Sequence, residues 1–288
     1  TLTYTGTAIS LGAYTMTLSG GGSLVSGGLT LNDPGSKLLL NSITVDSVST
    51  SADSSGLDVD ADSTVSSLSV AHITPVAIAD GISLSGAITV TAGSVKLDKT
   101  GTLASSISMS GGVLDADNSL TVSGTLTHTG NITIDVADTK TLTYTGTAIS
   151  LGANTLTLSG GGSLVSGGLT LNDVSSKLLL NLITVDSVST SVDNSLGLDV
   201  DADSTVTSLS VANITPIAIA GGSILSGAIT VTAGSIKLAD TGTLASNVSM
   251  SAGTILDADN SLTVSGTLTQ SGNITIDVLT DKTLTYSG

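Results

Sequence analysis

Carboxylates are the only side chains in this sequence grouped closely enough to suggest chemistry. Residues 57–62 read LDVDAD, with Asp58, Asp60 and Asp62 at alternate positions, and the pattern returns as Asp199, Asp201 and Asp203. A second cluster, LDADN, places Asp115 beside Asp117 and returns as Asp257 and Asp259. Hard oxygen ligands at this density suit calcium. These ten aspartates are therefore the candidate metal ligands, and calcium is the one candidate cofactor. A plainer reading stands beside it: Asp and Asn at turns hydrogen-bond the local backbone and keep the surface charged. Same-face residues of an extended strand lie about 7 Å apart, whereas calcium takes oxygens within about 2.5 Å. A shared ion would require the backbone to curl.

Other chemistries find less. Carboxylates at i, i+2 and i+4 match the start of an EF-hand loop, but its glycine and its distant glutamate are missing. Glycoside hydrolysis needs two carboxylates facing each other across a cleft, and here they run along one surface, with no Arg or Trp to bind a sugar. His72 and His128 become Asn213 and Gln270 in the second copy of the sequence, so an active site built on either would be lost there. No Ser-His-Asp or Cys-His system and no P-loop or dinucleotide fingerprint is present. Gly20–Gly22 and Gly160–Gly162 precede no helix and read as bends. Asn131, Asn213, Asn247 and Asn273 open N-x-S/T sequons, which leaves glycosylation open. The expectation is a protein that is not an enzyme.

What positions these residues is a long repeat. TLTYTGTAISLGA at 1–13 returns unchanged at 141–153, and TLTYSG begins again at Thr283. Residues 1–140 form the first repeat, 141–282 the second, and 283–288 the start of a third. The composition has no Cys, Trp, Phe, Glu or Arg and is rich in Thr, Ser, Val and Ile, which argues for all-β structure. A net charge of −16 argues against nucleic-acid partners and anionic membranes. No apolar run approaches the roughly 20 residues of a membrane span, and no membrane insertion is expected. There is no signal peptide, so targeting signals are expected outside this segment.

Within each repeat, period-two alternation is closed every few residues by Gly or Ser, as in ISLSG, AITVTAGS and VKLDKTG over 82–101. Alternation of this kind marks half-buried strands. Cutting at these closures divides each repeat into seven units of 18 to 22 residues with three strands apiece. The pattern predicts a three-sided parallel β-solenoid, about 20 residues per rung and seven rungs per repeat. The main rival, an antiparallel sandwich, lacks its hairpin dipeptides and its aromatic core. Ile88 and Val90 should point inward, Thr89 and Thr91 outward. The two one-residue insertions of the second repeat, near 191–196 and 251–255, should fall in turns, because an insertion inside a strand would reverse every later side chain. The half-dozen or so aliphatic side chains of one rung cannot offset the cost of ordering its backbone, so rungs must stack. At about 4.8 Å per rung, a repeat would rise about 34 Å and both together about 67 Å.

This composition, rung length and long-period duplication resemble the β-helical stalks of bacterial surface adhesins and extracellular β-solenoid fibres. The resemblance implies a structural filament or stalk outside the cell. Its partner would be itself, through end-to-end stacking or a longer chain, and any cell-surface or glycan ligand would sit at a tip. The missing cap at either end carries the same expectation, that the array continues. Two alternatives remain. One is a carbohydrate-binding solenoid or, further off, a polysaccharide-acting enzyme. The other is an ice-binding solenoid, for which the T-x-T sets Thr1/Thr3/Thr5, Thr89/Thr91 and Thr125/Thr127/Thr129 are the candidate face, shared with Ser10, Ser69, Ser108 and Asn32.

Overall fold

A computed structural model describes residues 1–194 and 196–288. The chain divides into two compact units, Thr1–Gly146 and Thr147–Gly288. Each is a parallel β-solenoid with about 20 residues per rung; among the described residues there is no helix, and so none long and apolar enough to cross a membrane.

In the first unit a rung carries three strand segments. The first and second are exemplified by Ser23–Val25 and Leu29–Leu31, the third by Lys37–Asn41. Third segments pair only with one another and make one sheet, while first and second segments share the other. The sharing arises in rungs three to five, where both limbs run on as single strands, Thr44–Thr50, Ser63–Val70 and Ser83–Val90. No Gly or Pro stands at that corner until Gly86, although the alternation breaks there, with two successive outward residues between Val45 and Val48 and between Val65 and Leu68. There the register slips: Val65 faces Gly86 but Leu68 faces Ile88, so one extra residue bulges from Ser63–Val70. The second unit repeats the slip between Val206 and Ser208.

The core follows the alternation. Leu29, Val48, Leu68, Ile88, Ile107 and Leu126 stand in one register column, each buried. Leu38, Leu57, Val76, Leu97, Ala116 and Val136 form a second column from the other sheet. Two aliphatic ladders thus face each other, and each rung gains its apolar contacts from the rungs above and below. One insertion of the second repeat lies between Asn247–Met250 and Ile255–Ala258, in a turn as expected; the other, near 191–196, includes residue 195, which lies outside the described residues.

One corner is held by a clasp built from Asn32, Asp33 and Ser36. Asn32 Oδ1 accepts from Gly12 N–H on the preceding rung at 2.8 Å. Ser36 Oγ accepts from Asp33 N–H at 3.1 Å and donates to the Gly12 carbonyl. Asn172, Asp173 and Ser176 repeat the arrangement on Gly152. Because Ser36 is fully buried, Ser36→Ala strands donors and an acceptor, and is expected to cost about 1–3 kcal/mol. Denaturant unfolding of the variant measures it; a loss under a few tenths would mean that water replaces the hydroxyl.

Candidate functional site

The charged side chains gather on the outward face of the third-segment sheet. In a strand, a residue two places along returns to the same face, so KLLL and LDV put Lys37 and Asp58 outward on adjacent rungs. Asp58 takes Lys37 at 3.1 Å and Lys99, from two rungs further, at 2.7 Å. Burial alone would raise the Asp58 carboxyl, but the two ammonium groups outweigh it and hold it below its ordinary range. Lys96 lies 2.6 Å from Asp117 and 3.4 Å from Asp115. In the second unit Lys177 meets Asp199 at 2.7 Å and Lys237 meets Asp259 at 3.0 Å.

The remaining candidate ligands are spread out. Asp62 and Asp203 each accept a backbone N–H from the next rung, Ser83 at 2.8 Å and Ile224 at 2.9 Å. Asp60 and Asp201 are exposed at the bend between them. The alternating carboxylates therefore diverge to a lysine, to solvent and to a backbone amide, as extended spacing dictates. Among the described residues no three His or Asp side chains gather as metal ligands would, and the observed partners favour structural pairing over a shared ion. A chelator is accordingly expected to leave the melting midpoint unchanged; a clear drop on adding EDTA, restored by calcium, would reverse that assignment.

Like charges also meet on this sheet. Asp115 pairs in register with Asp135, and Asp257 with Asp277. Burial raises the Asp115 carboxyl, Lys96 opposes, and Asp117 and Asp135 raise it further. Asp257 is raised by burial and by Asp259 and Asp277, against Lys237. A carboxyl whose folded pKa is raised contributes stability below its unfolded pKa and loses that contribution as pH rises through the folded value. Asp58, lowered, does the reverse. Asp115→Asn should therefore raise the melting midpoint at pH 7, and the gain should vanish near about pH 4. A lower midpoint at pH 7 would mean that the Lys96 contact outweighs the repulsion.

His72 Nδ1 lies 3.9 Å from Asp53 at the surface, and His128 Nδ1 lies 3.1 Å from the Gly130 carbonyl oxygen. Gly20 and Gly21 have positive φ and form the bend expected of them. Gly21 and Gly22 border a recess of about 360 Å³ lined by Ser42, Asp62, Ser63, Thr64 and Ser83 among others. Its one carboxylate and its hydroxyls can hydrogen-bond a small polar molecule.

The second-segment face is different in kind. Ser10, Thr30, Ser49, Ser69, Thr89, Ser108 and Thr127 stand in one unbroken register column through the first unit. Ser150, Thr170, Ser189, Ser210, Thr230, Ser249 and Thr269 do the same in the second. Thr89, Thr91, Thr125, Thr127 and Thr129 lie on this limb, but Thr1, Thr3 and Thr5 do not: they belong to the first-segment limb around Leu2–Thr3. Asn32 is not part of the hydroxyl column, since it is committed to Gly12. Sequence reading overlooked the lysine partners. Their signal was present, in that each of Lys37, Lys96, Lys177 and Lys237 sits outward about one rung before an aspartate.

No protein-family model, curated protein or solved structure matches this chain.

Proposed function

We propose that this chain is a structural protein, part of an extended extracellular filament or adhesin stalk whose rungs stack continuously, with copies of itself as its principal partner. The observation that carries this reading is how one repeat meets the next. Within the first unit, Leu142 and Tyr144 pair with Leu120 and Val122, and Tyr144 Oη accepts from Leu126 N–H at 3.1 Å. Within the second, Leu284 and Tyr286 pair with Leu262 and Val264, and Tyr286 Oη accepts from Leu268 N–H at 3.3 Å. The same seam is built twice by the same residues, and it is an ordinary rung-on-rung contact. A joint of this kind can be added again without any new surface, which is what a spacer of adjustable length requires. The acidic, cysteine-free composition suits a chain that works outside the cell and is held by stacking alone. Binding to cell-surface or glycan ligands is assigned to a tip beyond this repeat.

Tandem proteins with two, four and six copies of residues 1–140 test the reading. Electron microscopy should show a contour that grows by about 34 Å per copy, seven rungs at strand spacing. Globular particles whose long dimension fails to grow with copy number would refute it. Antibody against the repeat should label intact cells of the producing organism; labelling only after lysis would remove the extracellular assignment.

A further inference from the structure

The outward residues of the second-segment limb carry a regular array of neutral hydroxyls, some of which also bond to the rung before, as Thr91 Oγ1 does to the Val70 carbonyl and Thr127 Oγ1 to the Ile107 carbonyl. In the later rungs the hydroxyl column described above is flanked on the same face, two residues before and after it along the strand, mostly by further hydroxyls, whereas the first two rungs hold Ala8, Gly12, Gly28 and Asn32 there. Thr89 and Thr91, Ser108 and Ser110, and Thr127 and Thr129 are successive rows of this array, all exposed. Repeats are about 4.8 Å from rung to rung and about 7 Å from column to column. Not one outward residue of this face is charged, although the chain as a whole carries −16. The lysines and most of the aspartates lie on the third-segment sheet or at corners, so the neutrality is local.

The chemistry of the face narrows its occupant. Nucleic acid and anionic membrane require cationic groups. A glycan is held by aromatic planes or planar charged groups, and the face has neither. A protein partner would bury hydroxyls without apolar area in return, and buried hydroxyls need new partners. A hydroxyl both donates and accepts, so water can meet the whole array with no unsatisfied group. Threonine methyls and the Cβ atoms of Ala71 and Ala87 supply the small apolar patches over which water orders. Charges would turn the hydration shell radially and spoil a lattice; their absence permits one. The two spacings are comparable with oxygen repeats in hexagonal ice.

We propose that this hydroxyl array is an ice-binding face, with crystalline water as its ligand. The proposal is independent of the filament reading, because it rests on one face of each unit and not on how rungs continue.

The test uses the full 288-residue chain and a growing ice crystal. Wild-type protein carrying a fluorescent label should be taken up into the crystal and should show thermal hysteresis. Thr89→Lys combined with Thr230→Lys puts one charge in each array at exposed positions and should abolish both effects while the circular-dichroism melt is unchanged. Thr17→Lys, on the opposite sheet, should retain them. Exclusion of the wild type from ice would overturn the proposal, as would equal uptake of the double variant. A third result would overturn it in favour of a protein partner: sedimentation showing wild-type dimers that the double variant dissolves, with no ice uptake by either.

Discussion

Gly86→Ala is expected to destabilise the rungs around it by about 3–5 kcal/mol, combining backbone strain with a steric clash. Gly86 has φ +124°, a conformation L-residues rarely adopt, and a Cβ there would overlap the Val65 carbonyl oxygen of the rung below. The two causes share one origin. The bulge brings neighbouring backbones closer than a side chain permits. Gly227 stands in the same relation to Val206, so the second unit carries an equivalent position. Gly81→Ala separates strain from clash, because Gly81 has φ +72° but no atom near its missing Cβ; about 1 kcal/mol is expected there. Repeat proteins couple mainly nearest neighbours, so the Gly86 loss should appear as faster amide exchange in residues 63–109 before any global change. Equal losses for the two variants would show that the backbone at Gly86 relaxes to admit a methyl group.

Tyr144→Ala is expected to cost about 3–5 kcal/mol, the range for emptying a large buried aromatic site. Tyr144 is 4% exposed. Its ring lies where a Cβ on Gly146 would be, and its hydroxyl satisfies Leu126 N–H. Tyr144→Phe keeps the ring and strands that N–H, at about 1–3 kcal/mol. Tyr4 occupies the same place in the repeat but is 45% exposed, and Tyr4→Ala should change stability by only about 0.5 kcal/mol. Thermal melts of the three variants, with limited proteolysis across 120–146, give the comparison. If Tyr144→Ala proved no worse than Tyr4→Ala, the tyrosine would not be what holds the seam, and the structural role argued from it would lose its support.

Much of the fold was legible before any coordinates. Alternation of period two states, residue by residue, which side faces in, and Ile88, Val90, Ile132, Ile134 and Val136 are all buried as their positions imply. The long repeat gave the rung length, and the insertion between Asn247–Met250 and Ile255–Ala258 marked a turn because strands do not tolerate one. None of this depends on which rung lies beside which. The tertiary structure decided the rest. Alternation does not say where one limb ends, so the merging of limbs in Thr44–Thr50, Ser63–Val70 and Ser83–Val90 appears only once hydrogen bonds join the rungs. Nor does it say which limb a T-x-T set occupies, and Thr1/Thr3/Thr5 parted from Thr89/Thr91 for that reason. The aspartates show the same division. Their spacing is a local property, and it correctly implied that consecutive carboxylates diverge. Their partners are non-local: Lys99 reaches Asp58 across 41 residues. The in-and-out pattern belongs to the sequence because a side chain's face is fixed by its own strand, whereas contacts across rungs depend on the summed lengths of the turns between them, which only the stacked backbone determines.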